Sequence, residues 1–383
     1  MRFEFATAGR IIFGPGTLRD LAPLAGSMGR RALVVTGRNP ERAKTLVSLL
    51  VEQGINPTVF AITGEPEIET IRRGLTQARA EQCDLVVGYG GGSAIDAGKA
   101  IAALLTNPGD IFDYLEVIGA AKPLAEPPTP YIAIPTTAGT GTEVTRNAVL
   151  ASPEHRVKVS LRSPLMLPRV AVVDPELTYR LPPAITASTG LDALTQLIEP
   201  FVSIRANPIT DAFCREGITR VARSLRRAFE EEDATAREDM ALASLFGGMA
   251  LANSALGAVH GFAAPIGGMF SAPHGAVCAA LLPHVINVNV RALRQRAAES
   301  ENLRRYDEVA RLLTGNSKAV AEQGAKWVQD LCAAMRIPPL RVYQITENDL
   351  PMLCDKARIA SSIKGNPIAL TRDEMQEIVK NAL

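Results

Sequence analysis

The sequence predicts an α/β fold in its first half, with a parallel sheet covered by helices on both faces, followed by an all-α second half. Short apolar runs rich in Val and Ile alternate with helical stretches up to about residue 180. Strands that are apolar on nearly every residue are buried on both faces, and their alternation with helices is typical of a doubly wound sheet. After Pro182 and Pro183 the strand-like runs stop and long segments rich in Ala, Leu and Arg follow. We therefore expect two domains, residues 1–180 and 181–383, in line with roughly 150 residues per domain.

The elements are predicted in chain order. FEFAT and GRIIFG predict a short N-terminal ribbon, ended by Gly14, that could serve as an edge strand or a dimer arm. Helices are predicted at residues 40–54, after Pro40, and at residues 67–82, where acids lead and bases follow. The five buried strands are predicted at Ala32–Gly37, Thr58–Ile62, Asp84–Gly90, Tyr131–Thr137 and Val170–Asp174.

Composition narrows the classes of function. Of the 383 residues 47% are apolar and 21% are charged, so the chain has enough apolar material for a core and too little charge for disorder. The formal net charge is only +1, which argues against a nucleic-acid partner. The best apolar stretch, Phe246 to Val259, is interrupted by Asn253 and Ser254, and the N-terminus has no secretory pattern. We therefore expect no membrane span and a cytoplasmic protein.

The cysteines are odd in number and never form a C-x-x-C pair. This argues against a disulfide framework and against a thiolate metal site, and predicts that each is a small buried apolar residue. They are Cys83, Cys214, Cys278, Cys332 and Cys354.

A glycine turn follows the third predicted strand. The strand DLVVGYG leads into Gly91, Gly92 and Ser93, and a helix follows. Backbone N–H groups at such a turn can reach a pyrophosphate, with help from the helix dipole. The pattern is neither G-x-G-x-x-G nor a P-loop, and a tight turn without a ligand is the alternative.

A polar loop follows the fourth predicted strand. It holds Thr136, Thr137, Thr140, Thr142 and Thr145 among glycines, and their hydroxyls could contact phosphate and ribose oxygens. The alternative is an ordinary turn with one capping threonine. Because two such loops follow strands of one sheet, a dinucleotide is the favoured ligand.

The second half contains a candidate metal or catalytic site. Asp192 and Gln196 are four residues apart on a predicted helix, so they share one face. His260 and His274 are separated by glycines and prolines, so a bend could bring both imidazoles to that face. A carboxylate and two imidazoles suit a divalent ion, with the Gln196 oxygen as a weak fourth ligand. The alternatives are a helix cap, a solvated glutamine and structural histidines.

Four blocks of the chain resemble the iron-containing (group III) alcohol dehydrogenase family. They are GGGSAIDAGKA, IPTTAGTGTEVT, VDPELTYRLPPAITASTGLDALTQLIE and VHGFAAPIGGMFSAPHGAVCAALLPHV. The resemblance covers nearly the whole chain. It implies a Rossmann-like dinucleotide-binding domain, an all-α domain, a cleft between them for NAD or NADP, and a homodimer. The implied function is hydride transfer between a small alcohol and its aldehyde or ketone, assisted by Fe²⁺ or Zn²⁺.

The resemblance also assigns residues. It implies metal ligands at Asp192, Gln196, His260 and His274, of which the aspartate and both histidines would also be catalytic. Cofactor contacts would fall on Gly91, Gly92, Ser93, Asp96, Thr136, Thr137, Thr140, Thr145 and Lys158. The alternative is that Lys158 is a solvated lysine on a strand, without a role in cofactor binding.

This chain departs from the family pattern at three places. Gln196 stands where the family has a histidine, and Ala264 replaces another histidine near the nicotinamide, so metal binding should be weakened or lost. After the first strand, Gly37 and Arg38 stand where NAD-preferring members have an aspartate, so NADP should be accepted. The competing functions are a metal-free reductase of the maleylacetate reductase kind and a catalytically silent dinucleotide-binding protein.

Overall fold

The computed structural model describes residues 2–383, which form two compact units. The α/β unit comprises Thr7–Thr137 and Gly141–Tyr179, and the helical unit comprises residues 2–6, Ala138–Thr140 and Arg180–Leu383.

The α/β unit contains eight strands and four α-helices. A six-stranded sheet has the order β1-β8-β5-β4-β2-β3 with every pair parallel, and β6 and β7 form a separate antiparallel ribbon. The strands are β1 (Ile11–Phe13), β2 (Arg31–Thr36), β3 (Asn56–Ala61), β4 (Leu85–Gly90), β5 (Tyr131–Pro135), β6 (Asn147–Ser152), β7 (Val157–Arg162) and β8 (Val170–Val173). The helices are α1 (Leu21–Gly26), α2 (Lys44–Glu52), α3 (Ile68–Ala80) and α4 (Gly92–Thr106).

Both faces of the sheet are buried. In β2, Leu33 and Val35 pack in one apolar cluster with side chains of α3 and α4, while Val34 packs on the opposite face with side chains of α1 and α2. Because side chains alternate across a strand, burial on both faces requires an apolar residue at nearly every position. The predicted doubly wound sheet is confirmed.

The strand order reverses between β2 and β4. From β2 the chain adds β3 on one side, and then β4, β5 and β8 on the other. In open α/β sheets, ligands bind beyond the carboxyl ends of the strands at such a reversal. Gly37 follows β2 and Gly91 follows β4, so both lie at this position.

The helical unit is built from nine α-helices around one apolar cluster that includes Leu191, Phe201 and Phe262. The mostly helical second half that the sequence predicts is confirmed. The helices are α5 (Pro183–Val202), α6 (Pro208–Glu230), α7 (Ala234–Asn253), α8 (Ala258–Met269), α9 (His274–Arg296), α10 (Glu301–Thr314), α11 (Ala321–Ala334), α12 (Leu350–Ile359) and α13 (Arg372–Ala382).

The longest apolar helix is α9, not the stretch around Asn253 that the sequence suggested. By length and composition α9 could cross a membrane, as could α7 and α8 taken together, which are bent by 96° at their break. However, 83% of the apolar window of α9 is buried inside the protein, which is typical of a core helix.

The predicted N-terminal ribbon is confirmed only in part. Residues 2–6 form no strand, so there is no separate ribbon, but β1 joins the main sheet as an edge strand parallel to β8, which is one of the two roles that the sequence suggested. The β6–β7 ribbon was not predicted. In both strands buried residues alternate with more exposed ones, and VKVSLR of β7 alternates apolar and polar residues, so the alternating signal was available there.

Candidate active site

The glycine turn joins β4 to α4. Gly91 caps α4 with ordinary extended backbone angles, φ −73° and ψ −177°. A Cβ atom placed on Gly91 would meet only the Thr137 side chain, at 3.4 and 3.5 Å, which is ordinary contact. By contrast, a Cβ on Gly88 would lie 2.2 Å from the Tyr131 hydroxyl. Packing therefore explains the glycine at 88, but neither packing nor backbone geometry requires one at 91.

The threonine loop lies beside the glycine turn. β5 pairs with β4, and the Thr136 N–H donates to the Gly90 carbonyl at 2.8 Å. Thr136 is buried and Thr137 is half-buried. The structure thus brings together the two loops that the sequence singled out within the α/β unit.

A buried lysine holds the far end of this loop. Lys99 on α4 is 1% exposed, and its ammonium donates to the carbonyls of Thr142, Thr145 and Asn147 at 2.7 to 2.9 Å. The Thr142 hydroxyl donates to Asp96 at 2.5 Å, and the Val149 N–H donates to the same carboxylate at 3.0 Å. Sequence reasoning missed Lys99, although a lysine inside an apolar helix signals a buried partner.

These contacts bear on two predicted cofactor residues. Asp96 and Thr145 are buried, and their side chains have partners within the α/β unit. Burial raises the pKa of Asp96, although Lys99 and the bond from Thr142 oppose the shift. The structure gives both residues a role in shaping the loop, and their direct contact with a cofactor stays a prediction.

The other predicted cofactor residues occupy different settings. Gly37 has open space where a side chain would project, and Arg38 is exposed. Lys158 on β7 pairs with Glu65, with 2.5 Å between Nζ and Oε1. Thr140 is half-buried in the short segment that belongs to the helical unit.

In the helical unit, three helices bring the predicted metal ligands together. Asp192 lies on α5, His260 near the start of α8, and His274 at the start of α9. The Asp192 Oδ1 atom lies 3.5 Å from His260 Nε2 and 3.7 Å from His274 Nε2. Asp192 is 1% exposed, and this oxygen makes no hydrogen bond within the described chain.

Two buried side chains of this cluster have pKa values shifted in the direction that favours their charged forms. Burial acts to raise the pKa of Asp192, but the neighbouring His274 and His260 imidazoles outweigh it, so this pKa lies below its ordinary value. Burial acts to lower the pKa of His260, yet Cys278, Asp192 and Glu199 together raise it well above the ordinary value. The buried Asp192 carboxyl is therefore favoured in its charged form, which a divalent ion would also stabilise.

Glu199 fixes the orientation of His260. This buried residue lies on α5, and its carboxylate accepts from His260 Nδ1 and from the Val259 N–H, both at 2.7 Å. Asn366 accepts from the Ala258 N–H at 3.1 Å, so two side chains cap the first turn of α8. The bond at Nδ1 leaves Nε2 facing Asp192. Metal-binding histidines commonly have such a carboxylate on the other ring nitrogen.

Two further side chains lie next to Asp192, His260 and His274. Gln196 is buried one turn after Asp192, and its Oε1 has no hydrogen-bond partner in residues 2–383. Cys278, one turn after His274, places its Sγ 4.0 Å from His260 Nε2 and 3.7 Å from His274 Nε2. The expectation that every cysteine is only a small apolar residue therefore needs correction at Cys278. Its position four residues after His274 was the available signal.

The helical unit thus holds a buried group of possible metal donors, and the α/β unit holds a glycine turn and a threonine loop where open α/β sheets bind ligands. Comparison with known proteins identifies the class of protein. Residues 8–175 match the family profile described as iron-containing alcohol dehydrogenase, and residues 186–383 match its C-terminal profile. The chain belongs to the iron-containing alcohol dehydrogenase family.

Individual relatives agree over the full length. The chain is 37% identical to alcohol dehydrogenase 4 of Schizosaccharomyces pombe, with 97% of this chain and 87% of that protein covered. It is 35% identical to 1,3-propanediol dehydrogenase of Klebsiella pneumoniae, with 99% and 98% covered. A crystal structure of 1,3-propanediol oxidoreductase matches with a TM-score of 0.92 at 34% identity, over all of both chains.

The expected class of reaction is therefore confirmed. The protein is an oxidoreductase that interconverts an alcohol and its aldehyde by hydride transfer with NAD(H). Membership of the family also implies a divalent metal. The roles of individual residues stay proposals.

Proposed function

We propose that this enzyme acts on small alcohols and aldehydes with help from a divalent ion held by Asp192, His260 and His274. One observation carries the proposal. A carboxylate oxygen that is buried and has no hydrogen bond lies within 3.7 Å of two imidazole nitrogens. Leaving a charged oxygen in such a position is costly unless a cation satisfies it, so the donor set fits an ion.

Each residue would have a distinct role in the reaction. Such an ion would polarise the substrate oxygen, which favours hydride transfer at the adjoining carbon. Asp192 supplies the negative charge that balances a cation, and Glu199 holds His260 with its Nε2 directed at the site. The His274 side chain is 34% exposed whereas the other donors are buried, so substrate would approach from this side.

For the cofactor, we propose that the pyrophosphate of the dinucleotide lies against Gly91, Gly92 and Ser93. The free N–H groups of the first turn of α4 suit an anion, and the reversal of strand order supports this position. We further propose that NADP(H) is accepted beside NAD(H). Support comes from the open space at Gly37 and the exposed guanidinium of Arg38.

The names of the relatives suggest the substrate class. Because two of them are called 1,3-propanediol dehydrogenase or oxidoreductase, we propose a short primary alcohol or diol and its aldehyde. We also propose a cytoplasmic homodimer whose domains divide near residue 180. The outer edge of β1, which pairs with no second strand within residues 2–383, supports a dimer, and the division into two compact units supports the domain boundary.

Turnover of an aldehyde panel tests the proposal. Metal-loaded protein should consume NADH with short aldehydes, and Asp192→Asn should lower both metal content and turnover. Full turnover in a metal-free Asp192→Asn variant would favour the metal-free reductase, for which the replacements Gln196 and Ala264 are the supporting observation. Binding of NADH without any turnover would favour the silent binding protein.

A further inference from the structure

The metal donors of this chain include a thiol. Asp192 Oδ1, His260 Nε2, His274 Nε2 and Cys278 Sγ all lie within 4.8 Å of one another, and we call these four atoms the donor cluster. Cys278 is fully buried on α9, on the same helical face as His274. No other group of three or more His, Cys, Asp or Glu side chains in residues 2–383 comes together in this way.

The spacing of the donor cluster suits one small ion. Tetrahedral Zn²⁺ has bonds of about 2.0 to 2.3 Å, which places its ligand atoms roughly 3.3 to 3.8 Å apart. The sulfur lies 3.7 Å from His274 Nε2 and 4.0 Å from His260 Nε2. The carboxylate oxygen lies 3.5 and 3.7 Å from the same two nitrogens. Small side-chain shifts would bring all four donors to one centre.

Gln196 is the competing fourth ligand. Its buried Oε1 also has no hydrogen-bond partner in residues 2–383. A neutral amide oxygen is, however, a poorer ligand for a first-row ion than a thiolate. The Asp192 oxygen lies within the group of donor atoms that Cys278 shares with the two imidazoles.

We propose that Cys278 is the fourth protein ligand of the metal, so that this chain holds its ion with one carboxylate, two imidazoles and one thiolate, and a fifth position would stay open to the substrate oxygen. The inference rests on the metal-assisted function proposed above. On binding, the sulfur forms a bond to the divalent ion and its proton is released to solvent. Thiolate ligands favour Zn²⁺, and Zn²⁺ also lies above Fe²⁺ in general affinity, so the site should prefer Zn²⁺.

Cobalt substitution tests the ligand directly, because a thiolate bound to Co²⁺ gives a sulfur-to-metal charge-transfer band in the near ultraviolet. Apo-protein titrated with Co²⁺ should develop this band with one ion per chain. Cys278→Ser should abolish the band, while Gln196→Leu and the matched control Cys354→Ser should retain it. Circular dichroism and thermal unfolding of each variant establish that it is folded, and Cys278→Ala provides a second variant without a donor atom.

Affinity gives an independent readout. In competition with a chelator, wild type should bind Zn²⁺ more tightly than Fe²⁺. Cys278→Ser should weaken Zn²⁺ binding by more than the roughly 10–100-fold that loss of an outer-shell partner costs. Co²⁺ bound without the sulfur band, or a band that survives in Cys278→Ser, would overturn the role of Cys278 and leave the metal-assisted function standing. Absence of any Co²⁺ binding would overturn both.

Discussion

At the residue scale, Gly91 offers a direct test of the cofactor cradle. The backbone angles of Gly91 suit any residue, and an added Cβ would make only ordinary contact with Thr137. Gly91→Val should therefore fold normally but block the close approach of the pyrophosphate. We expect the dissociation constant for NADH, measured by fluorescence titration, to rise tenfold or more, about 1.4 kcal/mol.

The matched control is Gly26→Val at the end of α1, where an added Cβ would meet nothing within 4 Å. This variant should bind NADH as the wild type does. If Gly91→Val also bound NADH with unchanged affinity, the glycine turn would not be part of the cofactor site.

The proposed cofactor site predicts that the two residues after β2 set the preference between NADH and NADPH. Arg38→Ala should weaken NADPH binding by about 1–3 kcal/mol, the contribution of a charge-assisted contact, and leave NADH binding unchanged. Because a side chain at position 37 has free space, Gly37→Asp should fold and should repel the 2′-phosphate, so the preference should move towards NADH. Titrations with both cofactors measure the ratio. A strong preference of the wild type for NADH would argue against this assignment.

At the scale of elements, the threonine loop should make stability depend on pH. Burial raises the pKa of Glu143 from 4.5 to about 7. A carboxyl with a raised native pKa stabilises the fold below its unfolded value, and this contribution is lost as the pH rises from 4.5 through 7. Burial lowers the pKa of Lys99 to about 8, so its own transition lies at higher pH.

We therefore expect Glu143→Gln to gain stability relative to wild type between pH 5 and 7, at most about 1.4 kcal/mol per pH unit. Urea unfolding at a series of pH values measures the difference. The exposed Glu154 supplies the matched control, since Glu154→Gln should follow wild type. A constant difference between Glu143→Gln and wild type over this range would contradict the raised pKa.

The contact between α5 and α8 should control metal affinity. In Glu199→Gln, an amide N–H would face either the His260 Nδ1–H or the Val259 N–H, so one of the two present bonds would be lost. We expect metal affinity to fall roughly 10–100-fold, the usual effect of removing an outer-shell partner. Chelator competition measures it, with the exposed Glu232→Gln as the control. Unchanged affinity would show that Glu199 only caps α8.

Elements with a regular apolar pattern were predictable from sequence, and those defined by distant pairing were not. The buried strands β2, β4 and β5 and the helix α5 follow directly from such patterns. The partner of β1, in contrast, is β8, about 160 residues away, and no local signal specifies that pairing. The glycine- and proline-rich connection only allowed the convergence of Asp192, His260 and His274, and the family resemblance assigned it. Cys278 was missed because cysteine pairs were sought by sequence spacing, whereas its partners are imidazoles.

At the scale of the whole molecule, the two units carry separate parts of the chemistry. Gly91, Gly92 and Ser93 of the proposed cofactor cradle lie in the α/β unit, and all members of the donor cluster lie in the helical unit. Loss of the ion should therefore leave NADH affinity unchanged while turnover is lost.

The most direct test of the central claim is to titrate Zn²⁺ or Fe²⁺ anaerobically into fully chelated protein while NADH oxidation by a short aldehyde is followed. We predict that the chelated protein binds NADH but does not turn over. Activity should rise until one ion is bound per chain, and should not be restored in His260→Ala. Full activity of the chelated wild type, with no metal detected, would contradict a role for the ion.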